Sequence, residues 1–280
     1  MTTRRGATGV AAFFDLDGTL IPGSANIPLA KAAFKAGFAS KRELAVDLAR
    51  NLSFMLMGAS DDRSAQVRDR ILRGVTGRPA SEIEALADGF LEELVATITP
   101  TVEVVLAEHR EAGHDLVLIS ASPTEVVQRF ALASGMTYGV GTTAERDERG
   151  CYTGRLSGPF CYKEGKASIV RDLAASHGYD LAECFAYSDS ASDLPLLQTV
   201  GHPVAVNPDH ALRMLAAQGG WRVLETGKLR GGVETLRQGI RSAGRAPRRA
   251  WTGGRDRLRE RRNVAEEPVA YPSVAEETSA

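Results

Sequence analysis

Cysteine is scarce in this chain. Cys151, Cys161 and Cys184 are its only three, an odd number with no Cys-x-x-Cys pair, which indicates neither a disulfide framework nor a zinc site. Long hydrophobic runs are missing too: no stretch holds the ~18 uninterrupted apolar residues that a bilayer-spanning helix requires. The apolar run behind Arg4 and Arg5 is short and ends in Asp15, so it does not read as a secretory leader. Charge of one sign is absent overall. A net charge of −1 points neither to nucleic acid nor to a membrane surface as a global partner. A reducing, cytoplasmic location is the expectation, and no internal repeat is visible.

The 280 residues suffice for one large domain plus a smaller one. Hydrophobic and charged fractions of 43% and 25% are those of an ordinary soluble globular protein. Residues 10–14 read as a short buried strand that runs straight into "DLDGT" at 15–19. In an extended chain alternate side chains share a face, so Asp15 and Asp17 repel each other unless a positive group lies beside them. The pair is either a solvated turn or a place for a metal cation.

From about residue 26 to 98 four segments carry helical periodicity, with breaks at 37–40, 58–60 and 77–79. Ser81 with Glu84 makes a capping box for the fourth. Beyond this insert, strands expected at 114–122, 184–190, 202–209 and 221–225 alternate with helices at 99–113, 122–135, 163–178, 193–201 and 208–220. Pro123 follows Ser122 as a proline follows a helix cap. Residues 136–160 read as short strands with turns at 148–150 and 158–159. Such alternation argues an α/β fold with a parallel sheet covered on both faces. The expected division is a core over 1–22 and 99–230, a helical insert over 23–98, and a charged tail over 231–280. Arginine crowds 241–262 and acids fill 265–280, so the tail is expected to be disordered. A basic contact with an anionic surface is its alternative use.

In an open parallel sheet the ligand crevice lies at the carboxyl ends of the strands. Three expected strands deliver polar residues there: Asp15 and Asp17, then Ser120, then Asp189 with Asp193 beyond it. A helix start adds Lys163 and Lys166. Each has a plain explanation by itself. Aspartate before glycine is turn chemistry, Ser120 to Ser122 suit a helix cap, Asp193 suits an N-cap, and Lys166 a solvated helix face. Those explanations do not account for the convergence. Three carboxylates in a crevice call for a hard divalent cation, and Mg²⁺ suits them. A hydroxyl and a lysine beside it suit phosphoryl oxygens. One carboxylate can act as nucleophile, and a second can protonate the departing alkoxide and then deprotonate the attacking water.

"DLDGT" at 15–19, "LISAS" at 118–122, Lys166 and "YSDSASD" at 187–193 resemble the four ordered motifs of the haloacid dehalogenase-like phosphatases, over about residues 10 to 225. The resemblance implies a Rossmann-like, doubly wound core, with the insert similar to a C1-type cap. The most similar branch is the phosphoserine phosphatase-like subfamily IB. By that resemblance Asp15 is the nucleophile and Asp17 the general acid/base, its backbone carbonyl also touching Mg²⁺. Thr19 orients Asp17 and joins Ser120, Ala121 and Ser122 around the phosphoryl group. Lys166 neutralises the phosphate and Asp15, with Lys163 a weaker candidate. Asp189 binds Mg²⁺ directly, and Asp193 holds the metal's waters or Lys166. Ion pumps of this superfamily carry a threonine at the position of Asp17, so Asp17 favours ester hydrolysis.

Substrate recognition departs from the phosphoserine phosphatase pattern. Ser24 stands where those enzymes carry a glutamate for the substrate's ammonium. Arg70 is the candidate for the cap arginine that takes a substrate carboxylate. Ser120-Ala121-Ser122 replaces Ser-Gly-Gly, and Ser188 and Ser192 replace a glycine and an asparagine. The expected function is Mg²⁺-dependent hydrolysis of a small phosphate monoester through an aspartyl-phosphate, phosphoserine being one candidate. The alternatives are a phosphotransferase and a non-catalytic phosphoryl-binding protein on the same fold. A metal-dependent glycosyltransferase is disfavoured, because no glycine-rich nucleotide fingerprint follows a strand.

Overall fold

The computed structural model describes residues 9–35, 66, 68–69 and 72–226. Six parallel strands form its sheet, in the order β3-β2-β1-β6-β7-β8. They are β1 (Ala11–Phe14), β2 (Asp115–Pro123), β3 (Tyr138–Thr142), β6 (Phe185–Ser188), β7 (His202–Val206) and β8 (Arg222–Leu224). β1 lies at the centre, paired with β2 on one side and β6 on the other. The chain winds outward from β1 through β2 to β3, then returns to start again at β6. The topological switch point therefore lies between β1 and β6, where a doubly wound sheet opens its ligand crevice.

β1 is "AAFF", and all four residues are buried, as a central strand covered on both faces requires. Phe13 and Phe14 project to opposite faces. Phe13 meets Tyr179 edge-on with centroids 6.2 Å apart, and Phe14 stacks on Tyr187 at 4.4 Å. The helices that cover the sheet include α4 (Pro100–Ala112), α5 (Thr124–Ala133), α6 (Glu164–His177), α7 (Leu194–Thr199) and α8 (His210–Gly219). α4 begins with proline in its first turn and ends at Gly113, whose φ of 77° lets its amide bond back to Arg110 and His109 carbonyls.

The described part of the 23–98 insert holds the helices α1 (Asn26–Lys35), residues 72–75, α2 (Ala80–Asp88) and α3 (Leu91–Val95), the last three joined by turns. Ala87, Phe90, Leu94 and Ile98 are buried in the same core as the sheet. A hairpin of β4 (Ala144–Arg146) and β5 (Tyr152–Leu156) grips the returning insert: Gly77 donates to the Tyr152 carbonyl at 2.8 Å and Tyr152 to that of Arg78 at 2.9 Å. Beneath it the buried Glu125 carboxylate accepts from Arg146 at 2.8 Å and from the Tyr152 hydroxyl at 2.7 Å. Arg70 and the 231–280 tail lie outside the described residues. No helix among the described residues is long and apolar enough to cross a membrane.

Two expected helix starts are corrected. α2 is capped by Pro79 without a side-chain bond, and Ser81 sits inside its first turn, so the capping box with Glu84 does not form. β2 runs on through Ser122, and Pro123 is the N-cap of α5 instead of its first helical residue. Pairing of Pro123 with Thr142 keeps this segment extended, as the backbone before a proline prefers.

Behind the switch point a polar chain crosses the core. His109 Nε2 lies 2.7 Å from the Tyr187 hydroxyl, and its Nδ1 lies 2.8 Å from His114 Nδ1. Burial and the neighbouring His114 hold His109 well below its ordinary pKa. Tyr187→Phe would strand a buried ring nitrogen, and we expect a loss of about 1–3 kcal/mol. Urea unfolding checks this: the midpoint should fall with the slope unchanged.

Candidate active site

Asp15 leaves β1 with its amide still bonded to the Tyr187 carbonyl of β6 at 3.0 Å. The central pairing thus extends to the first site residue. Its buried carboxylate accepts from Lys166 Nζ at 2.6 Å. Lys166, in the first turn of α6, also donates to Asp193 Oδ2 at 2.7 Å, which accepts a further bond from Ser188 Oγ at 2.8 Å. Lys166, Ser188 and Asp193 are all buried. One ammonium group thus joins the end of β1 to the loop beyond β6.

Burial dominates the charges here. It raises Asp15 to about 7, because Lys166 offsets only part of the desolvation while Asp193 and Asp17 repel. Asp189 is raised to about 8 by burial, with Asp15 and Asp193 adding repulsion. Burial would lower Lys166, but Asp15 and Asp193 outweigh it and raise the ammonium above its ordinary pKa. Asp17 is raised by burial against the hydrogen bonds from the Ala25 amide and Ser24.

Asp189 lies against the backbone of the first loop. Gly18 has a φ of 77°, and a Cβ there would stand 2.0 Å from Asp189 Oδ2, so only glycine lets the two loops meet. Asp193 Oδ1 is buried and has no hydrogen-bond partner among the described residues. All the acidic donors are oxygen, as a hard cation prefers. Both Asp17 oxygens and Asp193 Oδ2 are hydrogen-bonded, and no three His, Cys, Asp or Glu side chains among the described residues form a ready ligand set. A cation would rest on the carboxylates of Asp15 and Asp189, a main-chain carbonyl and water, the sparing protein contribution that Mg²⁺ accepts.

Three expected roles change. Thr19 does not orient Asp17: its hydroxyl is buried and has no hydrogen-bond partner among the described residues. Ser24 turns to Asp17 instead, its Oγ donating to Oδ2 at 2.9 Å, while the Ala25 amide donates to Oδ1 at 2.8 Å. The Asp17 carboxylate is thus taken up by Ser24 and Ala25, whereas Asp193 keeps Oδ1 without a hydrogen-bond partner among the described residues. Ser120 is buried within β2, just beyond its pairing with β1, and its Oγ accepts from the Ser122 amide at 3.2 Å. Ala121 is held through its carbonyl by Thr142 Oγ1 at 2.8 Å. Lys163 is the N-cap of α6 with a φ of 52°, its ammonium 5.6 Å from the Tyr162 ring centroid; Lys166 is the lysine that reaches the carboxylates.

Sequence reasoning missed two supporting residues. Thr142 Oγ1, besides holding Ala121, accepts from the Cys161 amide at 3.4 Å, tying the Ser120 loop to the segment that leads into Lys166. Asp209 caps α8 through the Leu212 amide at 2.7 Å, accepts from the Ala191 amide at 3.0 Å, and donates its own amide to the Asp189 carbonyl at 2.8 Å. "NPDH" before a helix is a readable cap signal. Nothing in it says that the same carboxylate also shapes the Asp189 loop.

A family model described as haloacid dehalogenase-like hydrolase matches residues 12–198. A Mycobacterium tuberculosis protein named as a probable phosphatase is 38% identical over 218 residues, covering 76% of this chain and 74% of that protein. Another protein of that organism, named phosphoserine phosphatase, is 36% identical over 215 residues, covering 76% and 70%. A solved structure of a Bordetella pertussis protein of unknown function superposes with a TM-score of 0.67 at 29% identity, over 78% of this chain and 99% of that one.

The raised carboxylates make stability depend on pH. Folded Asp15 and Asp189 keep protons up to about 7 and about 8, whereas their ordinary value is 3.8. Between those limits the folded state binds more protons than the unfolded one, so the contribution is full below about pH 4 and is lost as the pH rises towards 8. His109, held neutral, works in the opposite direction below about pH 6.5. Urea unfolding in chelator should therefore show a steeper loss from pH 6.5 to 8 in the wild type than in Asp189→Asn. Equal slopes would contradict the assignment.

Proposed function

The chain belongs to the haloacid dehalogenase-like hydrolases and is a phosphatase, and from that premise we propose that it hydrolyses small phosphate monoesters through a phosphorylated Asp15. The carrying observation is Lys166, bonded to both Asp15 and Asp193 at the switch point of the sheet. Asp15 is the nucleophile: it ends the central strand, lies under an ammonium that balances incoming phosphate charge, and cannot move far because Tyr187 holds its amide. Mg²⁺, held by Asp15, Asp189 and the Asp17 carbonyl, would supply positive charge to the phosphoryl oxygens.

Asp15 forms a bond to phosphorus as the ester P–O bond breaks, and Asp17 gives its proton to the departing oxygen. Burial raises Asp17's affinity for that proton, which suits a general acid. A water then attacks phosphorus, Asp17 takes the water's proton, and the bond to Asp15 breaks. Ser120 and the amides near Ala121 and Ser122 lie in the adjacent strand, just beyond its pairing with β1, to receive the phosphoryl oxygens. Lys166 stays charged throughout, its pKa well above neutrality.

Residues 23–98 act in this reading as a cap over the crevice, which limits the substrate to a small molecule and excludes water. Phosphoserine, other phosphorylated amino alcohols and polyol phosphates are the candidates. A ranking of phosphorylated metabolites by kcat/KM in Mg²⁺ selects among them. Asp15→Asn should lower kcat by a factor of about 10³ or more, and chelation should abolish phosphate release from the wild type. An Asp15→Asn variant as active as wild type would sink the mechanism. Phosphate retained on an acceptor, not released, would make the chain a transferase.

A further inference from the structure

Ser24 is not needed for any step described so far, yet its hydroxyl is aimed at Asp17. The turn from Gly18 to Ala25 brings it there: the Gly18 amide donates to the Gly23 carbonyl at 2.9 Å, and Asp17 bridges to Ile21. Gly18 and Gly23 both adopt positive φ, 77° and 88°, so the chain reverses tightly enough to return residue 24 to residue 17. The two donors on Asp17 differ in capacity. The Ala25 amide on Oδ1 can only donate, which makes Oδ1 an acceptor in every protonation state. The Ser24 hydroxyl on Oδ2 can donate or accept, so it can rotate away from an Oδ2 proton that turns to a leaving oxygen and donate to Oδ2 once that proton has gone.

We propose that Ser24 is the positioning residue for the proton that Asp17 transfers, fixing Oδ2 as the oxygen that carries it and holding the carboxyl plane in place. The proposal rests on the reading of Asp17 as general acid. When the ester P–O bond breaks, the Oδ2 proton goes to the leaving oxygen and Asp17 becomes a carboxylate. When water attacks the phosphorylated Asp15, one water proton returns to Oδ2. Ser24 exchanges no proton with substrate. The position that the resemblance gives to ammonium recognition thus serves the proton instead.

Proton delivery matters most for poor leaving groups, and that dependence isolates Ser24. The probes are 4-nitrophenyl, phenyl and 4-methoxyphenyl phosphates, with full-length protein in Mg²⁺ and single-turnover release of the phenol as readout. Against wild type, Ser24→Ala should slow the 4-methoxyphenyl ester about tenfold more than the 4-nitrophenyl ester, a fraction of the full effect of a general acid. Ser24→Thr, which keeps the hydroxyl, should restore the wild-type ratio. Uniform slowing of all three esters, or none, overturns the proposal while Asp17→Asn still steepens the dependence. If Asp17→Asn leaves the dependence unchanged, the general-acid reading itself fails and the proposal falls with it.

Discussion

Lys166 Nζ, between the carboxylates of Asp15 and Asp193, is the contact on which the rest of this structure depends. All three groups are buried, and removing an ion from water costs several kcal/mol unless a partner compensates it. Two acids against one ammonium leave the site short of positive charge, and Asp189 adds a third acid alongside. Under the proposed function a cation beside these acids offsets the imbalance. Local charge repulsion is an ordinary sign of a functional site.

The architecture explains why these residues and not others converge. β1 and β6 stay paired, but the chain leads from them to opposite sides of the sheet, so the loops that follow them flank the switch point. Gly18 removes the side chain that would keep Asp189 away. Thr142 and Asp209 then fasten the neighbouring loops, one under Ala121 and the other under Asp189. Helix α6 contributes Lys166 from its first turn, anchored behind by Ala167 and Val170 in the core. Backbone bonds around the site thus hold its loops alongside the Lys166 contacts.

Much of this was legible in the chain. The apolar run before Asp15, the alternation beyond residue 99 and the polar residues expected at three strand ends gave the parallel α/β sheet and put Asp15, Lys166 and Asp193 together, as they stand in the structure. Which hydroxyl serves Asp17 was not legible. Thr19 and Ser24 both stand close in sequence, and the choice depends on the φ of Gly18 and Gly23, which turns Ser24 back and leaves Thr19 inside. The start of α5 was misplaced for a similar reason: a serine before a proline suits a helix cap locally, but pairing between β2 and β3 keeps it extended. Asp209 could be read as a cap and no further, since its second and third bonds join segments about twenty residues apart in sequence.

The central claim is that Asp15 carries the phosphoryl group between ester and water. Acid quenching during turnover of a ³²P-labelled monoester in Mg²⁺, followed by peptide mapping, tests it directly. The account predicts transient label on the peptide containing Asp15, labile to hydroxylamine and absent from Asp15→Asn. Steady phosphate release with no label on the chain at any quench time, or label on a different residue, would contradict it.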